Sequence, residues 1–261
     1  MKRFIPALLL GAMICSATPA LAEDEENDLR FELTYTPLRV STTDPEGVCH
    51  ANMSAITVGG EGRIYRGIMF GGNYTFGGSS AIDLSGVDQY GVPERIEARD
   101  PAFRDLKIYA KIPFNMEAFA SSNRVVGPRP KASPFYGYVG YKNTSLTCKY
   151  PTTAANLAHV NVENSSGIGF GVGGEYFWDP IGVYGQVVYY PCMLTKNVGI
   201  TDPAGGNTDG FLRVFEWDLG LRSNFKDSPI QAKLGYHFEQ HQASNVKLQY
   251  DGFQIGATAE F

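Results

Sequence analysis

Two histidines near the end of the chain have a spacing that could support metal chemistry. His237 and His241 lie four positions apart, and on a helix that spacing lets both imidazoles share one zinc ion. The residues around them alternate between apolar and polar, which predicts a strand. On a strand the two side chains would be about 13 Å apart at ~3.3 Å per residue, too far to share one ion. We therefore predict no metal site and no cofactor.

His241 also begins a segment that could belong to a hydrolase, His241-Gln242-Ala243-Ser244-Asn245. The segment resembles the His-x-Ser-Asn element of outer-membrane lipid A deacylases, which are small barrels with a Ser-His-Glu site. The resemblance covers five residues and implies a hydrolase site using His241 and Ser244. The spacing is one residue longer than in that family, which changes the face of a strand that the serine occupies. A polar hairpin tip is the alternative, so we leave enzyme activity open and favour its absence.

Three cysteines lie beyond residue 22, namely Cys49, Cys148 and Cys192. An oxidising compartment would allow a disulfide, and an odd number of cysteines leaves one thiol over. Cys148 ends the fifth predicted strand and Cys192 ends the seventh, so the pair flanks the sixth. We favour a bridge between Cys148 and Cys192 that would staple the outer loops, with three unpaired thiols as the alternative.

Glycine occupies every second position from Gly167 to Gly173. A glycine-rich phosphate loop would need a helix directly after it, and the sequence predicts none there. On a strand these glycines instead clear one face. We expect that face to make room for bulky partners from neighbouring strands, with Tyr136, Tyr138 and Tyr184 as the candidates.

Ten segments with a period of two predict the strands that position these residues. The clearest runs from Leu106 to Phe114, where apolar residues alternate with Lys107, Tyr109 and Lys111. Pro37 is expected to limit the first strand. The predicted strands cover residues 29–35, 56–64, 68–76, 106–114, 135–146, 167–173, 183–190, 215–222, 230–238 and 252–261.

The last predicted strand runs to the terminal carboxylate. Five residues share its apolar face, namely Phe253, Ile255, Ala257, Ala259 and Phe261. This pattern resembles the closing strand of bacterial outer-membrane β-barrels, in which a terminal aromatic residue and alternating apolar residues are read by the barrel-assembly machinery. The resemblance implies that machinery as a partner during biogenesis.

The connections between strands also favour a membrane barrel. Long polar segments (42–53, 77–103, 149–163 and 191–210) alternate with short turns (65–67, 179–182 and 226–229), although 115–133 and 241–245 depart from the rule. Outer-membrane barrels sort their connections in this way and have an even strand number. The charged residues lie opposite the bulky apolar ones, and Lys or Arg facing lipid at the midplane costs about 2–4 kcal/mol. We predict a single transmembrane antiparallel up-and-down β-barrel of about ten strands, with eight or twelve as alternatives and a soluble β-sandwich as the competing fold.

The N-terminus predicts export. Residues 1–22 combine a basic start, an apolar run and the small residues Ala20 and Ala22, which is typical of a secretory signal peptide. The apolar run is short of the roughly 20 residues that an anchor helix requires. Removing Lys2 and Arg3 changes the formal charge from −5 to −7 (20 basic against 27 acidic residues). The remaining chain thus has no excess of basic residues with which to bind nucleic acid. We predict that residues 23–261 form the barrel in the bacterial outer membrane.

A lumen lined by charges of both signs should be closed in so small a barrel, because wide channels need about 16–18 strands. We therefore predict a structural or surface-interaction role, carried by the outer loops 77–103 and 191–210, with an unknown external ligand. Outer-membrane lipid or lipopolysaccharide is the expected surrounding partner. The alternatives are a lipid-modifying enzyme and a narrow solute or ion channel.

Overall fold

The described residues of the computed structural model form twelve β-strands. The structure describes residues 29–44, 47–65, 68–78, 81–87, 93–114, 135–149, 160–178, 180–195, 197–200, 210–223, 229–243 and 246–260. The described chain has no helix long and apolar enough to cross a bilayer. The predicted signal peptide lies outside the described residues and stays a prediction. The strands are β1 Leu29–Asp44, β2 Gly47–Tyr65, β3 Ile68–Gly78, β4 Ala81–Val87, β5 Pro93–Pro113, β6 Phe135–Lys149, β7 Val160–Trp178, β8 Ile181–Thr195, β9 Asn197–Ile200, β10 Gly210–Ser223, β11 Ile230–Ala243 and β12 Val246–Glu260.

Ten of these strands close into a ring. The hydrogen-bonded order is β3-β2-β1-β12-β11-β10-β8-β7-β6-β5, and β5 pairs with β3 to complete the circuit. Every neighbouring pair is antiparallel. Closure gives each strand of the ring two hydrogen-bonded neighbours, as backbone in a bilayer requires. The predicted up-and-down barrel of ten strands is confirmed.

Two short strands extend the sheet beyond the ring. β4 pairs with the first residues of β5, and β9 pairs with the start of β7. They lie at the end of the barrel away from the first residue of β1 and the last residue of β12. We call this the distal end, and the end that holds those two residues the proximal end.

The connections between strands are shorter than the long polar segments that the sequence predicted. β1 and β2 occupy all of 42–53 except residues 45 and 46, and the segments 77–103, 149–163 and 191–210 also contain strand residues. A polar composition does not end a strand, because an antiparallel partner satisfies the backbone equally well in water.

Pro37 does not end β1, so that prediction is wrong. On the β12 side the paired residues reach Tyr35 opposite Ile255 and resume at Arg39 opposite Asp251. Proline has no N–H to donate, and the ladder passes over it there while Pro37 still pairs with Ser54 of β2. A Cβ at Gly252 would collide with the carbonyl oxygen of Pro37, so glycine allows the close approach at this site.

The two faces of the sheet are sorted as predicted. On β11, Ile230 and Leu234 are exposed on the outer wall, whereas Gln231 and Lys233 are buried in the lumen. The apolar belt covers about nine residues, as from Leu106 on β5 to Phe114 directly after it. A transmembrane β-strand tilted by ≈ 45° needs about 9–11 residues, so the belt is tall enough to span a bilayer.

The distal half of the lumen is filled by an apolar cluster. Its side chains come from seven strands of the ring and from both halves of the chain, and the nine named next are each at most 4% exposed. They include Leu38, Val40, Met53, Phe103, Leu146, Met193, Leu212, Val214 and Leu248. The sequence predicted a charged lumen and did not predict this apolar layer.

Candidate functional site

A group of charges crosses the middle of the lumen, and Lys142 is its hub. The ammonium of Lys142 lies 2.7 Å from Glu239, 2.9 Å from Glu216 and 3.3 Å from Asp105. Lys107 adds a contact of 2.7 Å to the other oxygen of Glu216. We call these five residues the central cluster. They come from β5, β6, β10 and β11, so the cluster joins opposite walls of the barrel.

A second group, the basal cluster, lies at the proximal end. The guanidinium of Arg30 contacts Glu61 at 2.9 Å, Glu175 at 3.1 Å and Glu260 at 2.8 Å. Lys111 binds Glu61 at 2.6 Å, and Arg222 completes the cluster with a contact of 3.0 Å to Glu175. Arg30 therefore ties the first strand of the ring to the last strand and to β2 and β7.

Two further pairs lie among these clusters. Lys233 contacts Glu32 at 2.6 Å, and Nδ1 of His237 contacts Asp218 at 2.8 Å. A buried charge without a partner is unfavourable, since removal of one partner of a buried ion pair typically costs about 3–5 kcal/mol. The predicted closure of the lumen by ion pairs therefore has a specific form, in which most charges face opposite charges within contact distance.

Tyrosines fill space that glycines leave open. A Cβ at Gly173 would collide with the ring of Tyr136, as the alternating glycines of β7 predict. Tyr190, which was not among the predicted partners, lies against Gly169. Tyr184 lies over Gly220 and Gly235 of other strands, and Tyr138 stacks on Tyr109 with ring centroids 5.3 Å apart.

A cavity lies in the described lumen. Its volume is about 110 Å³, it lies beside the basal and central clusters, and Tyr184, Asp218 and Gln254 are among the residues that line it. At ~10–15 Å³ for each water position it has room for roughly ten water molecules.

Of the two hydrolase candidates, His241 and Ser244, the structure describes only His241. His241 is 1% exposed on β11, where its Nε2 contacts Glu239 and its ring packs edge-on against Tyr250 at 5.2 Å. β11 continues past His241 to Ala243, so His241 lies on the strand and the connection to β12 follows it. Ser244 lies outside the described residues, so the hydrolase site stays a prediction. Among the described residues, no group of His, Cys, Asp or Glu has an arrangement that could hold a metal ion.

The register of the strands bears on the predicted disulfide. Cys192 is exposed on β8 and lies opposite Ile168, which in turn lies opposite Tyr141 of β6. Cys148 is seven positions beyond Tyr141, or about 23 Å along the strand at ~3.3 Å per residue. This separation weighs against the bridge. The side chain of Cys148 lies outside the described residues, and the pairing stays a prediction.

Lys142 was not predicted as the hub of the central cluster, although the alternation of the sequence indicates its position. It lies on the same face of β6 as Tyr136 and Tyr138, which point inward, whereas Val139 and Tyr141 point outward. A cation that continues an inward row of aromatic residues is expected to face the lumen.

The fold is similar to several solved bacterial barrels. The outer membrane protease OmpT from Escherichia coli aligns with a TM-score of 0.55 at 9% identity, covering 93% of this chain and 99% of that one. The translocator domain of the autotransporter NalP from Neisseria meningitidis aligns with a TM-score of 0.47 at 10% identity, covering 98% and 96%. Ail, the attachment invasion locus protein of Yersinia pestis, aligns with a TM-score of 0.34 at 10% identity, covering 91% and 100%.

No protein-family model matches the chain, and no curated protein matches its sequence. The likeness to the Escherichia coli protein therefore supports the fold alone. Together with the closed ring and the apolar belt, it confirms the predicted fold as that of a bacterial outer-membrane β-barrel.

Proposed function

We propose that this outer-membrane β-barrel is closed to solutes and acts at the bacterial cell surface, where its distal end binds an external partner. One observation carries the proposal. The lumen is filled by ion pairs and apolar side chains, while the strands continue well past the apolar belt at the distal end. The barrel-assembly machinery would recognise β12 during insertion, and lipopolysaccharide would surround the outer wall.

The length of the strands supports a binding role for the distal end. β5 has 21 residues and β2 has 19, about twice what a tilted strand needs to cross a bilayer. β4 is hydrogen-bonded to β5 on one side and lies beside β2 on the other, so the three strands form one wall beyond the belt. We call the rim of this wall the distal edge. We commit the proposal to a protein partner, which would bind at this edge.

Neither alternative function receives comparable support. A narrow solute or ion channel would need a continuous aqueous path, and the buried ion pairs of the central cluster lie across the lumen. A lipid-modifying enzyme would need His241 at the membrane surface, whereas its ring is buried beside Glu239 and Tyr250. A surface-binding barrel requires neither.

The test compares surface display of two shortened proteins. In one, residues 81–92 are replaced by a Gly-Ser linker, which removes β4 and its part of the distal edge. In the matched control, residues 116–132, which connect the proximal ends of β5 and β6, are replaced in the same way. Heat-modifiable gel mobility confirms that both barrels fold. Binding to a panel of purified serum and matrix proteins is then measured on whole cells.

We expect the full chain and the control to bind at least one member of the panel, and the variant without β4 to lose that binding. Equal binding by both shortened proteins would contradict the role of the distal edge. So would a full chain that binds no member of the panel.

A further inference from the structure

The outer wall formed by β10, β11, β12 and β1 changes its chemistry row by row along the barrel. We call this wall the gradient face. Its outward residues are cross-strand partners, so each row lies at one level of the sheet. From the distal end toward the belt, the rows are Arg213-Gln242-Lys247, Phe215-Gln240-Gln249-Ser41, Trp217-Phe238-Asp251-Arg39, Leu219-Tyr236-Phe253 and Leu221-Leu234-Ile255-Tyr35.

The distal rows carry cations that have no charged partner. Arg213, Lys247 and Arg39 are exposed, and none of them forms an ion pair with another residue in the described part of the chain. The carboxylate of Asp251 lies among them and accepts hydrogen bonds from the Tyr236 hydroxyl at 2.7 Å and from Gln249 at 3.3 Å. It offsets one of the three positive charges, so the local net charge is positive.

Five aromatic rings, linked by successive ring contacts, lie in the second, third and fourth of these rows, beside Arg39 and below Arg213 and Lys247. Ring centroids are 5.7 Å apart for Trp217 and Phe238, 5.6 Å for Trp217 and Tyr236, and 5.2 Å for Tyr236 and Phe253. Phe215 joins the group through Phe238 at 6.5 Å. Trp and Tyr are the residues that favour the boundary between headgroups and hydrocarbon, so the rings mark that boundary on this wall.

We propose that the gradient face binds one class of ligand, a lipid with a phosphorylated headgroup in the outer leaflet. Arg213, Lys247 and Arg39 would contact phosphate oxygens, since guanidinium and ammonium groups form charge-assisted hydrogen bonds to phosphate. The glutamine amides between them offer both donors and acceptors to a sugar or glycerol. The aromatic group and the aliphatic row below it contact the acyl chains.

Continuity with the belt favours a lipid over a soluble anion. The aromatic group passes without a break into Leu234 and Ile255, which are 53% and 61% exposed. A ligand seated on both the cations and the rings must therefore enter the hydrocarbon layer. This inference depends on the membrane-spanning fold and goes beyond the proposed surface role, because it holds whether or not the distal edge binds a protein.

The opposite wall provides a matched control. Arg104 on β5 is also exposed just distal to the belt, but its cross-strand partners are Phe76 and Ser145. It thus has no second cation in its row and no glutamine beside it. If lipid were bound only through a general attraction of cations, Arg104 and Arg213 would contribute equally to its affinity. If the gradient face is a specific site, only Arg213 contributes.

The experiment uses the full barrel folded in neutral detergent. The chain has two tryptophans, so a Trp178→Phe background leaves Trp217 as the reporter within the gradient face. Bis-phosphorylated lipid A is titrated while Trp217 emission is recorded, and native mass spectrometry counts the retained lipids. The Arg213→Gln/Lys247→Gln variant is compared with Arg104→Gln, and heat-modifiable mobility checks that both fold.

We expect one retained lipid and a change in Trp217 emission. Affinity should fall at least about tenfold in the double variant, because each cation near anionic lipid contributes substantially to binding, and it should be unchanged in Arg104→Gln. Four results would overturn the proposal: equal loss in Arg104→Gln, no loss in the double variant, equal binding of dephosphorylated lipid A, or full competition by inorganic phosphate. Dimers that form in the absence of lipid and require Arg213 and Lys247 would also contradict the proposal, because a second copy of the chain would then occupy the gradient face.

Discussion

Lys142 shows how one buried charge can organise the lumen. Its ammonium is completely buried and contacts carboxylates from three other strands. Without it, Asp105, Glu216 and Glu239 would face one another with only Lys107 and nearby histidines as compensation. Lys142 therefore allows the three strands that carry these carboxylates to pack around one point of the lumen.

Replacing this residue should destabilise the barrel strongly. We expect Lys142→Met to cost about 3–5 kcal/mol, since it removes the partner of buried carboxylates. The measurement is the urea midpoint of heat-modifiable gel mobility in detergent. Lys247→Met, at an exposed position, is the control and should change the free energy of unfolding by no more than ~0.5 kcal/mol. Similar midpoints for the two variants would refute the structural role of Lys142.

The glycines of β7 make a second prediction at the level of single residues. A Cβ at Gly169 would collide with the ring of Tyr190, so Gly169→Ala should destabilise the barrel by about 1–3 kcal/mol through overpacking. In a Tyr190→Ala background the added methyl has room, and the same substitution should cost much less. A double-mutant cycle measures this coupling. Additive effects would show that the ring does not occupy that space.

Single strands show how far sequence reasoning reaches. Alternation located β11 at residues 230–238, and the strand does begin at Ile230, yet it continues to Ala243. The inward face of each strand was predictable because its period of two is local. Where a strand ends depends on a partner that local sequence does not contain, as the uninterrupted path of β1 past Pro37 demonstrates.

The candidate sites were predictable only in part for the same reason. Charges on the polar faces indicated a closed lumen, but the pairs themselves join distant parts of the chain, such as Arg30 with Glu260. The gradient face arises from four strands whose register aligns similar residues. Its cations look like isolated surface charges when each strand is considered alone.

The outward face of β11 allows a direct test of which side meets lipid. Leu234 lies near the middle of the belt, so Leu234→Arg should cost about 2–4 kcal/mol, whereas Gln242→Arg beyond the belt should cost about 0–1 kcal/mol. Unfolding from lipid vesicles, followed by tryptophan fluorescence, measures both. If the two substitutions were equally tolerated, the outer wall would not be the lipid-facing surface.

At the scale of the whole molecule, the ring and its contents have separate tasks. Closure satisfies the backbone, and the apolar belt matches the bilayer. The charged and apolar layers inside occupy the space that a larger barrel would leave to water. This division leaves the distal end and the outer wall as the surfaces on which the protein can act.

If ion pairs and apolar side chains fill the lumen, the barrel conducts no ions, and conductance across a planar bilayer measures this. The purified full chain is inserted from detergent, and its insertion is verified by heat-modifiable mobility of protein recovered from the same preparation. We predict a current indistinguishable from that of a protein-free bilayer at moderate voltage. Stable unitary steps, with a size that repeats from one insertion to the next, would show a continuous aqueous path and contradict the account.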